Sequence, residues 1–284
     1  MEGVKLSIDR IVVDFTGVGW EFFDWFHNTF RRAHQTQMTV RDRGFKYHIT
    51  AYEKGQYFHV SYYLLFAEKP KRYTLRIECH PGSLLLFKKW LAPIKEHAQQ
   101  ILLVRSDVAY DIPLPLSELF VMSLTGRNMH VGKGTETHYS NEGYQRQVAG
   151  YCRVYDKKAQ LLSDYGEIIE GHLTRFEIVY APKGKIPLNS LVQYPPKFNG
   201  LYLCSQLVNP ELMKPKILER VIGMMSGELE QSQLTGHYRR LIKAEMKNRP
   251  TLDFDKVAAE QWEDAVTLPC AVLGGVISKV PIAL

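Results

Sequence analysis

Short stretches of alternating apolar and polar residues recur along this chain, and they recur in two rounds of similar order. Alternation with period two marks strands with one buried and one polar face. The first round runs from a β-branched stretch at 4–14 through Gly17 and Gly19 into a helix. There Trp20, Phe23, Phe26 and Phe30 fall at helical spacing, and Arg31 and Arg32 close it. A hairpin follows over 45–53 and 56–66 around Lys54-Gly55, then a strand over 72–80 ending at His80-Pro81-Gly82. A helix from Ser83 to about Gln99 has Ser83 as its cap and Pro93 as a kink. The second round has a strand at 101–111, a helix from Pro115 to Leu124 ended by Gly126, and a hairpin over 134–140 and 148–157. A helical segment near Lys158 and a strand at 172–180 complete it. The expected fold is α+β: an antiparallel sheet core, a duplicated strand–helix–hairpin–strand unit and a helical C-terminal extension.

Matched by topology, the rounds pair Asp14 with Asp111, and Tyr57-Phe58-His59-Val60-Ser61 with Tyr151-Cys152-Arg153-Val154-Tyr155. They also pair Arg76-Ile77-Glu78 with Arg175-Phe176-Glu177. Ser61 then stands where Tyr155 does. A competing match of Tyr52-Glu53-Lys54 with Tyr155-Asp156-Lys157 agrees better in residue type, but joins the first strand of one hairpin to the second of the other. The expected divisions are an N-terminal half (1–100), a catalytic half (101–182), a proline-punctuated linker or covering loop (183–210) and the helical extension (211–284). In that extension Leu212, Leu218, Val221, Ile222, Met225 and Leu229 share a helical face. Arg240, Lys243 and Lys247 line a stripe of the next helix, either a solvated face or a phosphate-tracking one.

With 36 basic and 30 acidic residues, the chain carries a net charge of +6, a mild pointer to polyanions. Cys79, Cys152, Cys204 and Cys270 form no CxxC pair, which suits reduced, buried thiols of a cytoplasmic protein rather than zinc ligands or disulfides. The first residues form no apolar signal region, and Pro269, Lys279 and Pro281 interrupt the apolar run at 266–284, so no membrane association is expected. The sequence holds no GxxxxGK[ST], HExxH or GxSxG motif. The glycine-rich run from Gly126 to Gly134 leads into a strand, and His130 and His138 read as surface residues.

Three strands remain that could carry chemistry. Alternation places Tyr151, Arg153, Tyr155 and Lys157 on one side of the 150–158 stretch. On 105–111 it gathers Arg105, Asp107, Ala109 and Asp111, and on 173–179 it gathers Arg175 and Glu177. If these strands are neighbours, Asp107, Asp111 and Glu177 share a surface with Tyr155 and several cations. Each acid could simply pair with a neighbouring arginine. Jointly, they suit a hard cation such as Mg²⁺ or Mn²⁺. Arg105, Arg153, Lys157 and Arg175 would then hold flanking phosphates, and tyrosine is a usable covalent nucleophile. This describes a phosphoryl transferase that forms phosphotyrosine on a nucleic-acid strand.

The run Arg105-Ser106-Asp107-Val108-Ala109-Tyr110-Asp111, then Arg153-Val154-Tyr155-Asp156-Lys157-Lys158, then Arg175-Phe176-Glu177 resembles the trans-acting rolling-circle replication initiators of plasmids and filamentous phages. These are the initiators that lack a two-histidine metal motif. The resemblance covers about residues 101–180. It implies a metal-dependent, strand-specific endonuclease and joining enzyme in which Tyr155 nicks one strand at an origin and stays linked to its 5′-phosphate. The freed 3′-hydroxyl would prime synthesis. It implies Asp107, Asp111 and Glu177 as ligands of Mg²⁺ or Mn²⁺, with Tyr151 the second choice of nucleophile. The implied partner is origin DNA, single-stranded at the nick and duplex nearby; a host helicase and a homodimer stay open. Where many members carry glutamate shortly after Tyr-Asp-Lys, this chain has Ala159-Gln160. Alternatives are a DNA-binding regulator that kept the fold without the chemistry, a strand transferase of conjugation or transposition, and a scaffold protein.

Overall fold

The computed structural model describes residues 1–63, 73–132, 138–140 and 147–274. It is a mixed α+β structure built mainly on antiparallel strands. The chain divides into two compact units: one holds Ile8–Asp107, Ala181–Pro195 and the chain from Glu263, and the other holds Met1–Ser7, Val108–Tyr180 and Pro196–Trp262.

The N-terminal unit takes β1 (Lys5–Thr16) from Ile8 onward and α1 (Trp20–His34), followed by β2 (Met38–Val40), β3 (Tyr47–Glu53), β4 (Gln56–Tyr63) and β5 (Thr74–Cys79). The strand order is β2–β3–β4–β5–β1. One face of this sheet buries Ile49, Phe58, Val60, Tyr62, Leu75 and Ile77 against Phe23, Phe26 and Phe30 of α1, as the aromatic stripe requires. Phe23 stacks on Tyr62 with ring centroids 4.0 Å apart, and the Tyr62 hydroxyl donates to the Val18 carbonyl. The expected helix from Ser83 is two helices, α2 (Pro81–Leu86) and α3 (Lys88–His97), which break at Phe87 rather than at Pro93. Its cap is His80, whose ring nitrogen accepts from the Gly82 amide; Ser83 instead donates to Gln56.

The strand β6 (Gln100–Ile112) supplies residues to both units, with the division between Asp107 and Val108. In the C-terminal unit come β7 (Leu119–Ser123), β8 (Met129–Val131), β9 (His138–Ser140), β10 (Cys152–Asp156), α4 (Lys157–Tyr165) and β11 (Thr174–Tyr180). The order here is β8–β9–β10–β11–β6, the same order as in the first unit when each strand is matched to its counterpart. The core joins Tyr110, Val154, Phe176 and Ile178 to Phe254, with the Tyr110 and Phe176 rings about edge-on to Phe254 at 5.1 and 5.0 Å.

The helix expected over 115–124 is absent. Leu116–Glu118 form a single 3-10 turn and Leu119–Ser123 form β7, buried at every position. An unbroken apolar run offers a helix no polar face, whereas a strand covered on both sides buries all of it. It pairs with β13 (Tyr202–Gln206), so the stretch expected to be a linker is largely structured. Before β13, β12 (Ile186–Pro187) pairs with β6 in the N-terminal unit. The helical extension consists of α5 (Pro215–Ser226), α6 (Gly236–Lys247) and α7 (Phe254–Leu273). Ile217, Val221, Ile242 and Met246 from α5 and α6 form a second core with Phe120, Met122 and Leu203. No helix among the described residues is long and apolar enough to cross a membrane. The apolar run beyond Gly274 and part of the hairpin expected at 134–157 lie outside the described residues.

Candidate active site

The site is built on β10 and β11, whose antiparallel register sets Arg153 opposite Glu177 and Tyr155 opposite Arg175. Val154 and Phe176 point the other way into the core and fix which face the polar residues occupy. Tyr155 is the penultimate residue of β10, half-buried, and its hydroxyl donates to Glu177 Oε1 at 2.5 Å. Arg153 donates through Nη2 to the other oxygen of Glu177, and its guanidinium lies 5.8 Å from the Tyr155 ring centroid. Arg175 grips Asp111 with a two-pronged fork, Nε to Oδ1 and Nη2 to Oδ2, both at 2.7 Å. Fork pairing of this kind fixes orientation as well as charge.

Around this group the local sequence is explained by backbone needs. Asp156, directly after Tyr155, caps α4 by accepting from the Ala159 amide at 2.9 Å. Lys157 is therefore the first residue of a helix rather than a strand residue on the Tyr155 face, and its ammonium donates to Gln160 at 2.9 Å. Gly150 has φ +74, and a Cβ there would come within 3.0 Å of Arg127 and Leu201. Its carbonyl accepts from the Tyr202 hydroxyl. Tyr151 follows it and is only 3% exposed, so its ring is buried where Tyr155 is half-buried.

Five of the expected residues thus fall in two contact groups, Arg153 and Tyr155 on Glu177 and Arg175 on Asp111, set side by side by the register that places Tyr155 opposite Arg175. Arg105 and Asp107 make their contacts in the N-terminal unit. There Arg10 lies 3.5 Å from Asp107 and 3.1 Å from Glu78, and Arg105 lies 3.5 Å from Glu78 and 3.9 Å from Asp107. Both are more than nine-tenths buried. Sequence reasoning missed Arg10 altogether, although Glu78 was visible as the counterpart of Glu177. Arg240 and Lys247 are exposed on α6, and Lys243 is half-buried at the border of the stripe that buries Ile242 and Met246.

The donor chemistry of Asp107, Asp111 and Glu177 is carboxylate oxygen, which suits Mg²⁺ or Mn²⁺. In the C-terminal unit each carboxylate oxygen of Asp111 and Glu177 meets an arginine or tyrosine donor, and a carboxylate oxygen has a second lone pair to offer. Among the described residues, no group of three or more His, Cys, Asp or Glu side chains is gathered as a ready ligand set. Arginines instead relieve the repulsion among the acids. The four cysteines are buried and form no disulfide, with burial pushing Cys204 up to about 12 and Cys270 up to about 11, so neither is a thiolate near neutrality.

The N-terminal unit holds a counterpart of this arrangement. Ser61 is registered opposite Arg76 as Tyr155 is opposite Arg175, and His59 opposite Glu78 as Arg153 is opposite Glu177. Arg76 grips Asp14 with the same fork, at 2.7 and 3.0 Å. Lys185 adds a second cation on Asp14 Oδ2 at 2.7 Å, a contact across 171 positions that no local pattern announces. Tyr52 lies on β3, paired with Tyr57, and so does not occupy the position of Tyr155. Comparison with models of known protein families finds no match, and neither does comparison with curated proteins.

Proposed function

We propose that this chain is a tyrosine-dependent DNA nicking and joining enzyme that initiates rolling-circle replication. The observation that carries the chemistry is the hydrogen bond from the Tyr155 hydroxyl to Glu177, with Arg153 on the same carboxylate. The resemblance of its three strand motifs to rolling-circle initiators supplies the substrate, an origin strand.

In this reading Glu177 accepts the phenolic proton as the Tyr155 oxygen attacks phosphorus. The bond from phosphorus to the 3′-oxygen breaks, the 3′-oxygen takes a proton from solvent, and the 5′-phosphate stays on Tyr155. Arg153 sits where negative charge grows on the phenol oxygen and the phosphoryl group, and a fixed cation there stabilises the transition state more than the ground state. Arg175, locked by Asp111, holds its guanidinium beside the reacting tyrosine without needing to reorganise. Joining is the reverse: a 3′-hydroxyl attacks the phosphotyrosine and Glu177 returns the proton to Tyr155. A divalent ion held by Asp111 and Glu177 would supply charge neutralisation at the phosphoryl oxygens, whereas Asp107, the third acid implied by the resemblance, pairs with Arg10 and Arg105 in the N-terminal unit.

The test incubates the protein with Mg²⁺ or Mn²⁺ and single-stranded oligonucleotides tiled across the DNA that flanks its own coding sequence. A covalent protein–DNA adduct is expected from one of them. If Tyr155→Phe forms that adduct as well as the unaltered protein does, the assignment is wrong.

A further inference from the structure

The N-terminal unit keeps the aspartate–arginine fork but carries Ser61, 3% exposed, where the other unit carries its tyrosine. Asp14 is fully buried and faces two cations, Arg76 and Lys185, so the cluster presents a net positive charge. That charge is accessible: the Lys185 side chain is 46% exposed and that of Arg76 27%. The Arg76 guanidinium also lies over the Phe45 ring, 4.3 Å from its centroid, and Phe45 is 5.5 Å from the Tyr63 ring. Both rings are half-exposed, and Arg41 and Arg43 are exposed on the neighbouring turn. Backbone bonds from Arg41 to the Lys46 carbonyl and from Lys46 to the Tyr62 carbonyl hold that turn against the sheet.

Cations beside half-exposed rings are what a single nucleic-acid strand needs: the cations meet phosphates, and the rings offer stacking surface to bases of any sequence. An acidic peptide would use the charge but leave the rings without partners. We propose that Phe45, Tyr63, Arg76 and Lys185 form a second, non-cleaving site for a segment of single-stranded DNA. The choice of DNA as the polymer rests on the nicking function proposed above. The site holds its strand without covalent chemistry, because the residue registered opposite Arg76 is a buried serine.

The test measures binding of fluorescein-labelled oligothymidylate by anisotropy across a salt series, in the Tyr155→Phe protein so that no adduct forms. The double variant Lys185→Gln, Phe45→Ala is expected to bind about tenfold more weakly or worse. Its salt dependence should flatten by roughly 0.7 in log–log slope for the lost phosphate contact. Lys185→Arg should restore the slope, and Lys185→Gln alone should flatten it even if the double variant folds poorly. Unchanged affinity and slope in a folded double variant would overturn the proposal. So would an equal loss of binding to inorganic polyphosphate on Phe45→Ala alone, because polyphosphate has no bases to stack. If the unaltered protein forms no adduct with any flanking DNA but oligothymidylate binding responds as described, the nicking function fails and this surface stands.

Discussion

The two units carry the same fork and differ in what stands beside it. In one, Arg175 and Asp111 flank a half-buried tyrosine whose hydroxyl donates to Glu177. In the other, Arg76 and Asp14 flank a buried serine, and the matching Glu78 is turned to Arg10 and Arg105 instead. Arg153 is replaced by His59, which hydrogen-bonds Thr50 and contacts His48. A fork alone is therefore scaffolding; a nucleophile with an acceptor for its proton is what turns such a sheet face into a candidate reaction centre.

The largest effect expected from breaking this contrast is at the two glutamates. Glu177→Gln removes the proton acceptor and is expected to slow adduct formation by about 10²–10⁴-fold, the usual worth of a general base. Glu78→Gln should leave the rate of adduct formation unchanged. Single-turnover adduct kinetics with both variants decide this, and equal slowing would mean that Glu177 acts only as structure.

The forks themselves should differ in stability. Asp14 is fully buried under two cations, so Asp14→Asn leaves them without their counter-charge and is expected to cost about 3 kcal/mol, the lower end for a broken buried pair. Asp111, whose side chain is 18% exposed, should cost less on the same change, about 1–2 kcal/mol. Urea unfolding of the two variants gives the order, and a larger loss at Asp111 would reverse the roles assigned to them.

A third contrast depends on pH. Burial holds the His59 and His48 imidazoles below their usual value; nearby Arg41 lowers both further and His48 lowers His59, against the pull of Glu78 on His59 and of the Phe45 carbonyl on His48. Because the unfolded chain takes up these protons more readily, stability should be lost as pH falls from about 6.5 toward the depressed folded values. The protection factors of β3 and β4 amides against hydrogen exchange, each taken relative to the intrinsic rate at the same pH, should fall over that window in the unaltered protein and much less in His59→Gln. A fall of the same size in both would contradict the assignment. The smallest effect is expected at Tyr151. Tyr151→Phe should leave adduct formation unchanged, because that ring is in the core.

Much of the fold could be read from alternation. The strands around Lys54-Gly55, at 101–111 and at 172–180 have one apolar face each, and the structure pairs them in two matching orders. The helix expected at 115–124 failed because Leu119–Ser123 is buried at every position, with four apolar residues in a row, and its pairing with Tyr202–Gln206 is too distant in sequence to be visible locally. For the candidate site, period two brought out Arg153, Tyr155, Arg175, Glu177 and Asp111. It misplaced Lys157, because Asp156 caps a helix at that point, and it could not show that Tyr151 is buried while Tyr155 is not. Arg10 and Lys185 reach their acids by tertiary contact alone, and nothing in their neighbours marks them.

The most direct measurement is to digest the covalent protein–DNA product and locate the modified residue by mass spectrometry. A 5′-phosphonucleotide on Tyr155, with Ser61 and Tyr151 unmodified, is the expected result. Modification at either of those residues in place of Tyr155 would contradict the assignment of the reactive centre to the face shared by Arg153, Arg175 and Glu177.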